Sequence, residues 1–157
     1  MEGARAARRS LLDAFPDAGF RAAFVFIDML DEDDTRAAAA ATRRVADRRV
    51  RTFHDPRRRA GRSMARTIGW RHHVAWDCYL FYPAGTRWDG PHMPPAAHWL
   101  HQLRDREVWE SERPAATNTR WTSQVPERSE APTRRFRTGG GLVSALRVSA
   151  ADWLVRR

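Results

Sequence analysis

Apolar positions along the chain alternate between a helical period and short continuous runs. From Glu2 to Phe15, Ala4, Ala7, Leu11 and Phe15 recur at spacings of three and four, and Pro16 follows. That is one face of an amphipathic helix with its stop signal. Ala22-Ala23-Phe24-Val25-Phe26-Ile27 is a continuous apolar run, which predicts a strand buried on both faces. The acidic cluster Asp31-Glu32-Asp33-Asp34 then precedes an Ala-rich stretch to about Asp47. Acidic side chains suit the positive end of a helix and Asp is a good N-cap, so a second helix starts there.

Val50 to Phe53 is the next strand, and His54-Asp55-Pro56 reads as a turn into a third helix. Ala60, Met64 and Ile68 lie four apart in that helix, with Gly69 placed to cap it. Val74 to Tyr82 is the longest predicted strand. A Pro-rich loop from Asp89 to Pro95 leads to a last strand over His98 to Leu103. Beyond Ser111 the pattern dissolves into Pro, Thr, Ser, Arg and three consecutive Gly residues, the signature of a loop or linker. Leu142, Leu146, Ser149 and Trp153 restore helical spacing at the end. Strands alternating with helices predict an α/β fold with a largely parallel sheet and an antiparallel edge.

Composition sharpens this picture. At 157 residues the chain suits a single domain. Leu, Ile, Val and Phe total only 27 of 157, so the seven Trp residues carry much of the core. The net charge of +9 comes from 28 basic residues, all of them Arg, alongside 25 Ala. GC-rich coding produces that bias, so charge alone is weak support for a nucleic-acid partner. No apolar run approaches the ~18 residues of a membrane span, and no secretory h-region follows the basic start. The chain therefore reads as cytoplasmic, with no membrane partner. One cysteine, Cys78, rules out an intramolecular disulfide and a Cys-rich zinc site.

Three segments, Phe24-Val25-Phe26-Ile27-Asp28, Val50-Arg51-Thr52-Phe53-His54-Asp55-Pro56 and Tyr79-Leu80-Phe81-Tyr82-Pro83-Ala84-Gly85, resemble the thioredoxin-like superfamily in order and spacing. The nearest likeness is to its peroxiredoxin-like and thiol-disulfide oxidoreductase members, over Glu2 to Leu103. The resemblance implies a thioredoxin-like mixed sheet with flanking helices. The thioredoxin-like domain then runs over 1–110, and the pattern of residues alone gives a loop at 111–141 and a C-terminal helix at 142–157. It also implies a Cys-x-x-Cys before the first helix, which would lie upstream of Gly3, so the domain reads as N-terminally truncated. Where the family has a cis-proline this chain has Trp76-Asp77-Cys78; Pro94 or Pro95 is the loose substitute. The implied function is a thioredoxin-like protein of the thiol-disulfide oxidoreductase type, redox-inactive as written for want of the cysteine pair and an oxidoreductase only if the true start lies upstream and carries it; the partner is open, a protein being one option. The alternative is an Arg-rich anion or nucleic-acid binder.

Candidate chemistry is sparse, and no catalytic, cofactor-binding or metal-binding residue is assigned. Cys78 sits in an apolar strand beside Asp77, which favours an inert buried thiol over a reactive one. His92, His98 and His101, with His72 and His73, suggest a metal cluster, but residues three apart on a strand face opposite ways. Arg43-Arg44, Arg48-Arg49-Arg51 and Arg57-Arg58-Arg59 would line a phosphate face or, more economically, a solvated surface. The last of these runs is read in a helix's first turn, where its charge opposes the dipole. Trp70, Trp76, Trp88, Trp99 and Trp109 fit core and hairpin packing better than base stacking.

Overall fold

Local signals place the elements, and the computed structural model of the protein, which describes residues 2–70, 73–103 and 135–155, groups them into two compact units. One unit holds Met1–Arg58 with Arg137–Arg157; the other is Arg59–Phe136. The fold is mixed α/β, but its four strands form two separate pairs, one parallel and one antiparallel, and not the single mixed sheet expected, because no ladder joins β1 or β2 to the hairpin among the described residues.

In the first unit, helix α1 (Glu2–Ala7) runs into a π-helical turn over Arg8–Leu12, closed where Asp13 N donates to Arg8 O at 3.0 Å. Strand β1 (Ala22–Ile27), helix α2 (Thr35–Arg44) and strand β2 (Val50–Asp55) form a βαβ unit. Its strands pair in parallel from Ala22 opposite Val50 to Ile27 opposite Asp55. Asp34 caps α2 by accepting from Ala37 N at 2.7 Å. Asp33 Oδ2 accepts from the amides of Met29 and Leu30, so two of the four clustered acids organise the turn into α2.

Helix α4 (Gly139–Val155) starts three residues before the expected start at 142, with Leu142 N bonded to Thr138 O. Gly139 adopts φ 51°, a backbone conformation that suits glycine. Leu142, Leu146 and Ala150, spaced four apart, turn inward, and α4 packs on the π turn and α1, where Ala6, Ala7 and Leu12 are also buried.

Arg49 ties this unit together. Its guanidinium donates to Leu12 O and Phe15 O, pairs with Asp47 at 2.8 Å and lies 4.8 Å over the Phe20 ring. The carbonyl of Leu12, at the end of the N-terminal helical segment, and that of Phe15 just beyond it are thus satisfied by a side chain 37 and 34 residues away.

Two expectations change here. The run Ala22–Ile27 is a strand, but it is not buried on both faces: Ala23 and Val25 are exposed, as are Arg51 and Phe53 across from them. The β2 strand also extends through His54 and Asp55, which were expected in a turn.

In the second unit, helix α3 (Arg59–Ile68) ends as its sequence predicts. Gly69 takes φ 94° and Trp70 N reaches Ala65 O at 2.7 Å, a Schellman closure. Strands β3 (Cys78–Phe81) and β4 (His98–His101) form an antiparallel hairpin, with Cys78 opposite His101. The expected strand over Val74 to Tyr82 is cut short, because Asp77 at φ 52° leaves the extended region just before Cys78. The last strand likewise ends at His101 rather than Leu103.

The core of this unit gathers Met64, Ala65, Trp70, Ala75, Trp99 and Leu103. Trp70 is fully buried and meets Trp99 edge-on at 5.8 Å. Ser63 Oγ and Thr67 Oγ1 bond the backbone of Met93, which fixes the Pro-rich loop to α3. Most of the expected linker at 111–141 lies outside the described residues.

Candidate functional site

In a parallel βαβ unit the strand amides and carbonyls are spent on the ladder, which leaves the carboxyl ends of the strands as the place where side chains converge on a ligand. Here that edge carries Asp28, directly after β1, and His54, near the end of β2. The parallel register puts Phe26 opposite His54 and Ile27 opposite Asp55, so Asp28 follows within reach. His54 Nε2 lies 2.7 Å from Asp28 Oδ1, and both side chains keep about a quarter of their surface exposed, 22% and 24%. Arg58 closes the group: it sits in the left-handed region at φ 56° and its Nε donates to Asp28 O. A carboxylate that accepts from Nε2–H fixes the tautomer and leaves Nδ1 as an acceptor. The pair can hydrogen-bond a ligand with no further group brought to it.

Sequence reasoning missed this pair because His54 was placed in a turn. The signal was a polar residue at the carboxyl end of each strand, Asp28 just after β1 and His54 one residue before the end of β2.

The residues singled out from sequence fare differently. Cys78 packs against the core cluster of its unit, its thiol 3.0 Å from Trp76 O. Burial, and then the Asp77 carboxylate next to it, push its pKa far above the usual thiol range. At neutral pH it is a protonated thiol. His98 lies against Phe81 at 5.5 Å, while fully buried His101 sits among Trp70, Trp99 and Phe136. His92 is exposed on the loop and His73 is half-buried. Among the described residues no three His, Cys, Asp or Glu side chains converge as a metal site; His72 lies outside those residues.

The arginine runs split apart. Arg49 is buried as a structural clamp, while Arg43, Arg48 and Arg51 point to solvent. Arg57 and Arg58 precede α3 instead of lying in its first turn. Trp70, Trp76 and Trp99 belong to the hairpin core, Trp88 is 47% exposed, and Trp109 lies outside the described residues. No helix among the described residues is long and apolar enough to cross a membrane. No protein-family model, curated protein or solved structure matches the chain.

Proposed function

We propose that this protein is a thioredoxin-like domain that works by binding, without thiol-disulfide exchange of its own. The observation that carries this reading is the order of the elements: a helix-linked parallel pair, β1-α2-β2, then α3, then the antiparallel hairpin β3-β4. The three segments of the resemblance fall on β1, on β2 and on the hairpin. Thiol-disulfide exchange needs an attacking thiolate and a second, resolving thiol. The sequence holds Cys78 alone, and burial keeps that thiol protonated. What the domain offers a partner is the carboxyl edge of β1 and β2, with His54 and Asp28 as its polar contacts.

The test is insulin reduction in the presence of dithiothreitol, with wild type and Cys78→Ser. The expected rate is that of dithiothreitol alone for both proteins. Any acceleration by the wild-type chain overturns the reading. Alkylation of Cys78 by iodoacetamide is expected to be slow in the native protein and fast once it is unfolded.

A further inference from the structure

We infer that two copies of this chain pair antiparallel through the open edges of their β1 strands, which joins the two parallel pairs into one larger sheet in a symmetric dimer. The β1–β2 ladder leaves that edge unspent. Ala22 N donates to Arg49 O at 2.9 Å. In a parallel ladder the N–H and C=O of one residue point to the same side, and successive residues alternate. Ala22, Phe24 and Phe26 therefore bond β2, and the amides and carbonyls of Ala23, Val25 and Ile27 aim away from it. Among the described residues β1 pairs with β2 alone, and no backbone group bonds those three residues from the other side.

A two-stranded sheet is marginal by itself, and parallel strands belong to sheets that are covered and extended. The two edges of this pair differ in protection. β2 carries Arg51, His54 and Asp55 and runs between Arg48-Arg49 and Arg57-Arg58. Charges of that kind deter strand addition. β1 is apolar at every position from Ala22 to Ile27, aromatic or β-branched from Phe24 onward, with no charge and no proline.

The charges at the ends of β1 select the occupant. Arg21 precedes the strand and Asp28 follows it. Antiparallel pairing of two copies sets the Arg21 end of each beside the Asp28 end of the other, whereas parallel pairing in register would set like charges together. A two-fold axis perpendicular to the sheet, midway between the two Val25 residues, lets them exchange both backbone hydrogen bonds. Ala23 then faces Ile27 of the second copy. Opposed residues point to the same face, so Val25, 36% exposed beside Phe53, gains the second Val25 as its neighbour on the open side. The strand order becomes β2-β1-β1-β2, and no β1 edge remains.

Sedimentation velocity of the full chain from about 1 to about 200 µM tests the pairing. The mass is expected to rise from 18.1 kDa toward twice that value. Val25→Pro removes the outward amide and keeps the ladder to β2, and Val25→Lys sets two ammonium groups against each other across the axis. Each is expected to raise the dissociation constant at least about tenfold. Phe53→Thr, on the same face but one strand in from the edge, is expected to change it less than about twofold. Hydrogen exchange reads the contact in the wild type without a substitution. The amides of Ala23, Val25 and Ile27 should slow as concentration rises, while those of Thr52 and His54, on the far edge of β2, should not. A monomer across the whole range overturns the inference, as does exchange at β1 that ignores concentration. So does a dimer as tight in both Val25 variants as in the wild type, or one lost in Phe53→Thr but kept in Val25→Pro, which would mean stacked faces.

Discussion

The two strand pairs of this protein both carry large apolar side chains and are covered very differently. In the parallel pair, Val25 and Phe53 face one another across the ladder and remain 36% and 54% exposed. In the hairpin, Trp99, Leu100 and His101 run consecutively and are 9%, 4% and 0% exposed. A continuous apolar run says that a strand forms; it does not say what lies over each face. The hairpin is covered because Trp70, placed by the end of α3, fills the space beside Trp99 and His101. Among the described residues, the Ala23–Val25 and Arg51–Phe53 face stays exposed.

This contrast is breakable by substitution, and the largest effect belongs to Trp70→Ala. Removing the fully buried ring should cost about 3–5 kcal/mol in chemical denaturation. A loss below about 1 kcal/mol would mean that the hairpin does not depend on it.

Arg49→Met comes next, because it strips the donor from Leu12 O, Phe15 O and the Asp47 carboxylate at once. A lower melting temperature is expected, with a smaller drop than for Trp70→Ala. The pH dependence follows from Asp47. Hydrogen bonds from the Arg49 side chain, then its backbone amide, hold the Asp47 carboxyl well below the usual carboxylate range. A depressed folded-state pKa stabilises above the unfolded value, about 4, and the gain is lost as pH falls toward the folded value. Melts at neutral pH and at about pH 2 should therefore differ less in Asp47→Asn than in the wild type.

Ser10→Ala is a smaller probe with the opposite sign. The Ser10 hydroxyl is fully buried in the π turn and finds no hydrogen-bond partner among the described residues. Removing it should stabilise the unit by roughly 0.5–1 kcal/mol, read from the shift in denaturation midpoint. Smallest of all is Phe53→Thr, expected within about 0.5 kcal/mol of the wild type because the ring is already half in water. A large loss there would show that the β1–β2 face is covered in solution, and would remove the contrast between the two pairs.

Much of the fold was legible locally. Asp34 starts α2 and Gly69 ends α3 as their side-chain and backbone chemistry requires, and the period of Leu142, Leu146, Ser149 and Trp153 locates α4, although Ala150 and not Ser149 is the buried residue of its third turn. The misreadings lie where one residue decides the backbone. Asp77 in the left-handed region shortens β3, and the parallel ladder carries β2 on through His54. The candidate site was barely legible, because His54 and Asp28 are 26 residues apart and each alone resembles an ordinary polar residue at a strand end.

By itself, then, the sequence determined which segments are helix and strand, that a single thiol cannot form a disulfide within the chain, and that arginine supplies every positive side chain apart from histidine. Those properties follow from local backbone preference and from composition. Tertiary structure decided which arginine is a clamp and which point to solvent, which face of β1 meets water, and which imidazole meets a carboxylate. Each of these depends on partners brought together by the parallel crossover and by helix packing, across separations of 26 to 37 residues in the clearest cases. Hydrophobic periodicity carries no signal for such pairings, because it records how a segment faces its surroundings and not which other segment it meets.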